Sequence, residues 1–306
     1  MTRMPSLRRG AKSKIARRRR TQAPTLRPNE KPTPGKAYLE WLDRTWPGDT
    51  RELREGRYLH QQGNLRIAFE RSKFWLDVRR ELSDWAHAYE KHTGGYALFP
   101  GAPAMPALAN KPWRSFLSRT WRENVHNNGR WPEPPEGGWW LPDNWFERAW
   151  DIVRTRFVVR YLDGVEELSE RLVDAARARK LEASYDKQAK GGFFAFQVGV
   201  RQPFSIDTLD YQGTLERSSV VELQVMTDLA DVISDLTHPH YEERRESDPG
   251  EAWGWDYRSP AAETNVLGTL LHDLESRVMK CRDGVEPAGN GPKRHRRPRR
   301  RRGERA

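Results

Sequence analysis

Apolar residues recur at helical spacing in the first third of the chain. Between residues 37 and 107 they lie three or four positions apart, which predicts helices that bury one face. The clearest stripe ends at Lys91-His92 and Gly94-Gly95, a combination typical of a helix C-terminus. The stripe consists of Phe74, Val78, Leu82, Trp85 and Tyr89.

Three segments further along the chain differ in composition. Residues 94–110 are rich in Gly, Pro and Ala and predict a loop, whereas residues 111–127 predict a helix. Residues 128–144 combine Pro, Gly and Trp in an irregular order, which predicts a long aromatic loop.

From residue 145 the pattern changes to alternating strands and helices. Helices are expected after Asp163, which forms a capping signal with Glu166, after Thr227, and over residues 262–281. Strands are predicted for the three segments richest in β-branched and aromatic residues, 152–162, 193–200 and 219–226. The order strand, helix, strand, strand, helix predicts an α/β (α+β) domain with a mixed β-sheet.

Charge divides the chain into an acidic body and two basic tails. Residues 1–36 carry a net charge of +11 and residues 289–306 carry +8, so the +11 of the whole chain leaves −8 for residues 37–288. Neither tail has an apolar period, and both are predicted to be disordered. Their abundant Arg and Lys side chains either contact RNA phosphates or merely reflect the composition of the chain.

Other counts exclude several classes of protein. The single cysteine, Cys281, excludes a disulfide framework and a cysteine-rich zinc site. Mean hydropathy is −0.94 and no apolar run approaches about 18 residues, which excludes a transmembrane helix. No apolar segment follows the basic N-terminus, so no secretory signal is expected. The expected location is therefore the cytoplasm.

Common motifs of nucleotide-binding and hydrolytic sites are absent from the sequence. It has no GxxxxGK[ST], GxGxxG, GxSxG or HExxH pattern. His238 and His240 are one residue apart, but no cysteine or third histidine lies nearby in sequence. A structural role for this pair is therefore favoured over zinc binding.

Two carboxylates in or beside the predicted strands are candidates for chemistry. Glu222 lies inside an otherwise apolar strand, where a carboxylate must be solvated, paired or bound to a cation. Gln224 shares its face, so that face is either open to water or part of a polar site. Asp151 opens the first strand, five residues before Arg156, and is either a strand terminus or a site residue.

A double glycine leads into the second predicted strand. Gly191 and Gly192 follow Lys190 and precede Phe193. This arrangement fits either a bulge where a ligand approaches the backbone closely or an ordinary turn before a core strand.

Three segments, taken in order, resemble the synthetase domain of the RelA/SpoT family, and most closely its short, toxin-type small alarmone synthetases. They are DIVRTRFVV (151–159), KGGFFAFQVGV (190–200) and VVELQVMTDLADVISDLTHPHYEERR (220–245). The resemblance implies a nucleotidyltransferase-like mixed sheet flanked by helices. The implied division of the chain is a basic tail, a helical N-terminal region, a synthetase domain with a C-terminal helix, and an Arg-rich tail, with bounds 1–36, 37–110, 111–283 and 284–306.

The resemblance also implies roles for individual residues. Asp151 and Glu222 match the Mg²⁺-binding carboxylates of the family, and Glu222 is implied to orient or deprotonate the attacking hydroxyl. Arg156 completes the implied catalytic set. The residues implied to bind the ATP phosphates are Lys111, Arg114, Ser115, Arg119 and Lys190. Those implied to bind the acceptor are Phe193, Gln197, Gln224, His238 and Tyr241.

The activity implied by the resemblance is that of an ATP-dependent pyrophosphokinase. With Mg²⁺, it would transfer pyrophosphate from ATP to a ribose 3′-hydroxyl. The acceptor would be GDP or GTP, giving a guanosine tetra- or pentaphosphate alarmone, or the 3′ end of tRNA. An antitoxin is a further implied partner, whereas no membrane contact and no alarmone hydrolysis are expected.

The alternative is a catalytically degenerate nucleotide- or RNA-binding protein of the same fold. Where the family pattern has Tyr, His and Arg, this chain has Phe193, Gln197 and Met226. Ala109 also stands where many members have an arginine. A ring hydroxyl and two phosphate-side cations are therefore missing, which weakens support for an anionic transition state.

Overall fold

A computed structural model of the chain describes residues 30–47, 51–190, 193–207, 213–236 and 260–284. Its strands are β1 (Ala109–Asn110), β2 (Val153–Val159), β3 (Ala183–Lys190), β4 (Phe193–Asp207) and β5 (Thr214–Thr227). Its helices are α1 (Lys36–Thr45), α2 (Arg51–Glu70), α3 (Lys73–His92), α4 (Trp113–Trp121), α5 (Trp145–Arg148), α6 (Leu162–Ala178), α7 (228–236) and α8 (Pro260–Arg282). A π-helical turn, Arg122–His126, extends α4.

The five strands form one sheet in the order β1-β2-β5-β4-β3. The β2 and β5 strands are parallel, and the remaining pairs are antiparallel. Helix α6 follows β2, so the chain leaves the sheet through a helix and returns to form a β3-β4-β5 meander. The predicted mixed sheet with flanking helices is confirmed.

The helices predicted between residues 37 and 107 are confirmed as α1, α2 and α3. Helix α3 begins where the Ser72 side chain accepts a hydrogen bond of 3.1 Å from the Trp75 N–H, a normal N-cap. It ends before Gly94, whose φ of 80° suits glycine. Its apolar stripe is buried, as the spacing predicts, at Phe74, Val78, Leu82, Trp85 and Tyr89.

Two strands differ from the prediction. The sequence does not predict β3, because this edge strand, ASYDKQAK, has few apolar side chains and lies largely exposed. The short β1 lies within the predicted loop 94–110 and pairs with β2 through only two residues. Strands β4 and β5 also extend beyond the predicted 193–200 and 219–226, since their polar outer ends pair with each other.

The predicted capping signal of α6 is wrong. The helix begins at Leu162, and the N-cap residue, Tyr161, makes no side-chain cap. Asp163 lies in the first turn, where it accepts hydrogen bonds from Tyr89 (2.7 Å) and from Arg282 of α8 (2.6 Å). The Asp163 carboxylate, which the local sequence pattern assigned to a helix cap, therefore forms an ion pair with Arg282 instead. By contrast, Thr227 does cap α7, accepting a hydrogen bond of 3.2 Å from the Ala230 N–H.

One hydrophobic core joins the N-terminal helices to the sheet. It includes Tyr38 and Phe69 from the helices together with Phe157 and Val225 from the strands. Residues 30–35, which the sequence assigns to the basic tail, also contact the body: Lys31 Nζ donates to the Asn128 carbonyl oxygen at 3.3 Å. The rest of both predicted tails, residues 1–29 and 285–306, lies outside the described residues.

Within the described part of the chain, none of the helices has the length and apolar character needed to cross a membrane. The predicted irregular loop 128–144 is confirmed, since none of its residues is helical or in a strand.

Candidate active site

One face of the sheet gathers several of the polar residues singled out in the sequence. Arg154 of β2 lies opposite Glu222 of β5. Two positions along, Arg156 lies opposite Gln224, which is also opposite Gln197 of β4. Residues paired directly across strands project to the same face. The register therefore brings these five residues onto one side of the sheet.

Asp151 binds two basic side chains just before β2. Its Oδ2 accepts a hydrogen bond of 2.6 Å from Lys111 Nζ, and its Oδ1 accepts one of 2.6 Å from Arg119 Nη1. Burial alone would raise the pKa of Asp151, but the charges of Lys111 and Arg119 outweigh burial and lower it. Burial also lowers the pKa of Lys111, despite the carboxylate beside it. With one anion and two cations, the cluster carries a net positive charge.

Two side chains of α2 fix the backbone that carries this cluster. Gln62 Nε2 donates to the carbonyl oxygens of Lys111 and Ile152, at 3.0 and 2.8 Å. The Tyr58 hydroxyl donates to the Lys111 carbonyl oxygen at 2.9 Å. Because Ile152 directly follows Asp151, these bonds set the position of Lys111 relative to Asp151. No motif in the sequence marks Gln62 or Tyr58, so neither is among the predicted site residues.

Helix α4 supplies the basic side of the site because its other side belongs to the core. Lys111, Ser115 and Arg119 are spaced by four residues, so they line one side of the α4 segment. Phe116 is fully buried on the other side. Arg114 lies on the exposed surface of α4.

Glu222 lies in the buried centre of β5 and is 6% exposed. Its Oε1 accepts a hydrogen bond of 2.8 Å from Gln224 Nε2. Burial raises the pKa of Glu222 more than this hydrogen bond lowers it, and the Asp151 carboxylate adds to the rise. Of the two interpretations of this strand face, open to water or part of a polar site, the structure supports the second.

Arg156 does not join Asp151 or Glu222. Its guanidinium is paired with Asp231 and, at 2.9 Å, with Asp235 Oδ1, both on α7. Burial works against ionisation, but hydrogen bonds from the guanidinium to the two carboxylates raise the pKa of Arg156. The predicted catalytic arginine thus lies on the shared face, bound to the helix that follows β5.

The residues predicted to bind the acceptor are only partly described. Phe193 and Gln197 are half-buried and lie an even number of residues from Gly199, which pairs with Glu222. Their side chains therefore project to the same face of the sheet as Glu222. The backbone of Lys190 pairs with Phe193, but its side chain lies outside the described residues, as do all atoms of Gly191 and Gly192. His238 and Tyr241 also lie outside the described residues.

A tryptophan of the aromatic loop contacts the Asp151 cluster. The guanidinium of Arg119 lies 5.5 Å from the centre of the Trp140 ring, and that of Arg148 lies 5.4 Å from it, both within the range of cation–π attraction. Asn124 holds the loop, donating to the Trp140 carbonyl oxygen at 2.9 Å and accepting from the Trp140 N–H at 2.8 Å. The sequence marks this loop as unusual, but it gives no sign of which Trp reaches the site.

Gly199 makes room for a second tryptophan beside the site. A Cβ at this position would lie 3.0 Å from Cζ3 of Trp150, closer than atoms normally approach. Gly199 lies opposite Glu222 in the register, so the Trp150 ring covers the backbone next to the buried carboxylate. Trp150 directly precedes Asp151, and its packing helps to fix the start of β2.

No family model matches this chain, and no curated protein matches it. Solved structures similar to it include small alarmone synthetase 1 from Bacillus subtilis bound to its product pppGpp, with a TM-score of 0.46 and 14% identity over 75% of this chain and 98% of that chain. Small alarmone synthetase 2 from Bacillus subtilis has a TM-score of 0.44 and 13% identity, over 73% and 99%. A GTP pyrophosphokinase family protein from Streptococcus pneumoniae has a TM-score of 0.41 and 14% identity, over 81% and 96%.

Proposed function

We propose that this chain is an ATP-dependent pyrophosphokinase that acts on a ribose 3′-hydroxyl. The observation that carries the proposal is the pairing of two unlike carboxylates at one site. Asp151 is held between two cations, while Glu222 is buried with a raised pKa. Two carboxyl groups in such different environments suit different roles in one reaction.

Lys111 and Arg119 would neutralise the phosphates of ATP. Phosphoryl transfer depends mainly on positioning and charge neutralisation, because little covalent help is needed from the protein. Both cations are already directed to one point by Asp151, and Arg119 is further held by Trp140. The excess positive charge of the cluster supports binding of a polyanion there.

Glu222 would accept the proton of the attacking hydroxyl. In this step the 3′-oxygen of the acceptor bonds to the β-phosphorus of ATP, the bond from that phosphorus to the α,β-bridging oxygen breaks, and AMP leaves with the electron pair. The hydroxyl proton passes to the Glu222 carboxylate. A pKa raised toward the working pH suits a general base, which must be ionised yet hold a proton readily.

The two carboxylates also fit a magnesium ion that arrives with ATP. Mg²⁺ is commonly bound through one or two protein carboxylates together with substrate phosphates. Among the described residues, no group of three or more acidic, His or Cys side chains could hold a metal alone. Asp151 and Glu222 would hold the ion, which would neutralise phosphate charge.

Phe193 would fix the base of the acceptor by stacking. Aromatic rings bind bases without base-specific hydrogen bonds, so this residue accommodates either a guanine nucleotide or the 3′ end of tRNA. The basic tails would favour an RNA acceptor, since Arg and Lys bind phosphates in a salt-dependent way. Binding of an antitoxin stays a prediction and, like the tRNA acceptor, rests on the resemblance to toxin-type members.

A nucleotide-binding protein without transfer activity is the second candidate. The observation that favours it is that Arg156 is bound to Asp231 and Asp235 instead of facing the two carboxylates of the site. Together with Met226 and Gln197 in place of the basic residues of the family, this leaves fewer cations for the transition state.

The test is a transfer assay with labelled ATP and Mg²⁺, offering GDP, GTP or tRNA in turn. We expect label to move to one acceptor, and Glu222→Gln to lower the rate by at least about 100-fold. ATP binding, measured by calorimetry, should persist in that variant. The matched control is Glu216→Gln, which changes an exposed carboxylate on the same strand and should leave the rate unchanged.

Absence of transfer from the wild-type chain to every acceptor would refute the enzymatic proposal. Retained ATP binding in that case would support the second candidate. If transfer occurs but Glu222→Gln is as active as Glu216→Gln, the proposal for the base is wrong while the activity stands.

A further inference from the structure

Three tryptophans form an aromatic surface where α1 contacts the 128–144 loop. We call Trp41 of α1, together with Trp131 and Trp139 of the loop, the tryptophan cluster. Their ring centres lie between 5.0 and 6.0 Å from one another, at angles between 50° and 72°. All three side chains are half-buried, so each keeps part of its surface outside the hydrophobic core. Grouped aromatic side chains on a surface commonly mark a place where another segment or molecule binds.

The segment that precedes α1 already binds a tryptophan of the body. Pro32 is buried, and its carbonyl oxygen accepts a hydrogen bond of 2.7 Å from Trp121 Nε1. The carbonyl oxygen of the next residue, Thr33, accepts one of 3.2 Å from the Tyr38 N–H. Docking of a proline-rich segment on aromatic side chains is a recurrent mode of peptide recognition. Residues 30–35 therefore show this mode within one chain.

The same segment lies beside the tryptophan cluster. Lys31 Nζ donates to the Asn128 carbonyl oxygen at 3.3 Å, and the Trp131 N–H donates to the same oxygen at 3.4 Å. One atom thus joins the segment to the loop that carries two of the three tryptophans. Residues 24–29 lie outside the described residues, and in an extended polyproline conformation six residues span about 19 Å, at roughly 3.1 Å each. That length is enough to cross the cluster from Lys31.

The composition of residues 24–29 suits an aromatic surface. They read PTLRPN, with two prolines, a leucine and an arginine. Proline restricts the backbone before docking, so less conformational entropy is lost when the segment binds. Leu26 supplies apolar area, and the Arg27 guanidinium suits a cation–π contact with an indole ring. The segment therefore matches the tryptophan cluster in both shape and chemistry.

The charges of the tail and the loop are complementary. Residues 1–29 contain ten Arg and Lys residues and no Asp or Glu, a net charge of +10. The 128–144 loop contains one Arg against three acidic residues, a net charge of −2. Two of those acids, Glu133 and Glu136, are exposed and lie between Trp131 and Trp139 in sequence. Attraction between opposite charges favours the tail on this side of the molecule.

We propose that residues 24–29 dock on the tryptophan cluster as an extended strand, continuing the contacts that residues 30–35 make. The occupant of this surface is thus a segment of the same chain. The basic tail then has two parts, a docked proline-rich part and the Arg-rich part that precedes it. The test needs no nucleotide, so its outcome is independent of the proposed function.

The test is limited proteolysis of the full chain by chymotrypsin, with the cleavage sites identified by mass spectrometry. The tail contains two leucines after which this protease cuts, Leu26 in the proposed docked segment and Leu7 outside it. We expect cleavage after Leu26 to be at least about 10-fold slower in the full chain than in a synthetic peptide of residues 20–33. Cleavage after Leu7 should be as fast in the full chain as in a peptide of residues 1–13, which makes it an internal control.

The first variant changes the segment and leaves the folded body intact. The double variant Pro24→Ser/Pro28→Ser removes the stiffness and the ring contacts of the segment, so Leu26 should lose its protection. Each rate is compared with that of a peptide carrying the same changes, which corrects for any preference of the protease. Pro5→Ser is the matched control, because Pro5 lies in the same tail but outside the segment, and it should leave Leu26 protected.

The second variant changes the surface. Trp139→Ala removes part of the tryptophan cluster and should also expose Leu26 to cleavage. Tyr96→Ala is its control, because Tyr96 is an aromatic residue outside the cluster and is 38% exposed. Protection of Leu26 should persist in this control, and circular dichroism checks the fold of both variants.

Three outcomes would overturn the proposal. The first is cleavage of the wild-type chain after Leu26 as fast as in the peptide, which would leave the cluster open to a proline-rich segment of another protein. The second is protection of Leu26 that is unchanged in both Pro24→Ser/Pro28→Ser and Trp139→Ala, which would place the segment elsewhere. The third is protection that increases with protein concentration, which would show that the segment comes from a second copy of the chain.

Discussion

Two charged clusters lie on the same side of the sheet and have opposite compositions. In the first, one carboxylate, Asp151, binds the two cations Lys111 and Arg119. In the second, one cation, Arg156, binds the two carboxylates Asp231 and Asp235. The first has an excess of positive charge and the second an excess of negative charge, so an anion such as ATP is expected at the first.

The clusters also differ in how firmly they are built. The Lys111 side chain is 4% exposed, whereas that of Asp235 is 72% exposed. The first cluster joins segments whose backbones α2 binds, while the second joins β2 to α7 through side chains alone. A buried, pre-oriented charge cluster on a rigid frame suits catalysis, and an exposed one suits the attachment of a helix.

The largest expected difference between the clusters is in stability. Asp151→Asn removes the counter-charge of Lys111, which is too buried to be solvated, and should lower the free energy of unfolding by about 3–5 kcal/mol. Urea unfolding at pH 7 measures this. Asp231→Asn, the matched change in the second cluster, should cost about 1 kcal/mol or less. Equal losses in the two variants would mean that the clusters do not differ as described.

The second prediction tests the frame of the first cluster. Gln62→Leu removes two buried hydrogen bonds to the Lys111 and Ile152 carbonyls and should cost about 1–3 kcal/mol. Tyr58→Phe removes one hydrogen bond to this backbone, at the Lys111 carbonyl, together with the 3.2 Å bond that the Tyr58 hydroxyl accepts from Gln62 Nε2, and should cost about 1 kcal/mol. In a transfer assay at low temperature, we expect the Km for ATP to be higher in Gln62→Leu than in the wild type, because Lys111 moves. An unchanged Km would mean that Gln62 contributes only to stability.

The third prediction concerns Glu222, whose charge is disfavoured by burial. A carboxyl with a raised pKa in the folded state binds more protons there than in the unfolded chain. Its contribution to stability is therefore full below the unfolded pKa of about 4.3 and is lost as pH rises through the raised folded value. Glu222→Gln removes this loss, so the variant should gain on the order of 1 kcal/mol over the wild type at neutral pH.

Thermal unfolding of the Glu222→Gln variant and the wild type across pH 4 to 8 measures that gain. Asp151 should behave in the opposite way, because its folded pKa is lowered: its contribution is present above the unfolded value of about 3.9 and disappears as pH falls through the folded one. A Glu222→Gln variant that is less stable than the wild type at pH 7 would contradict the prediction.

The smallest expected effect is at the edge of the second cluster. Asp235→Asn removes an exposed ion pair to Arg156 and should change the free energy of unfolding by less than about 1 kcal/mol, decreasing with added salt. Chemical denaturation at two salt concentrations measures it. A loss that is large and independent of salt would show that α7 is held as tightly as the first cluster.

The sequence predicts the centre of the sheet better than its edges. Strands β2 and β5 are recognisable because both of their faces are partly buried, so apolar residues dominate. The edge strand β3 shows no such run, because one side of it has no neighbouring strand in the described sheet. The apolar run of β5 also makes Glu222 recognisable, because this residue is the charge that interrupts the run.

The partners of the candidate residues are predicted less well, because they depend on contacts between distant segments. Nothing local indicates that Asp151 binds Lys111, which is 40 residues away. The spacing of Asp151 and Arg156 in one strand suggests a shared site, but the carboxylates of α7 bind Arg156 instead. The roles of Gln62 and Trp140 follow from tertiary packing alone.

The hydrogen bonds from Gln62 have a consequence for when the Asp151 charge cluster forms during folding. The residue that joins Lys111 to Ile152 lies 90 positions before Ile152, so the charge cluster closes only after α2 has docked. Contacts of such long range form late and slowly in folding. A fragment that begins at residue 111 would keep every charged group of the cluster and lose the clamp that aligns them. The N-terminal helices are thus expected to act as a built-in assembly check, which leaves an incompletely folded chain without an aligned charge cluster.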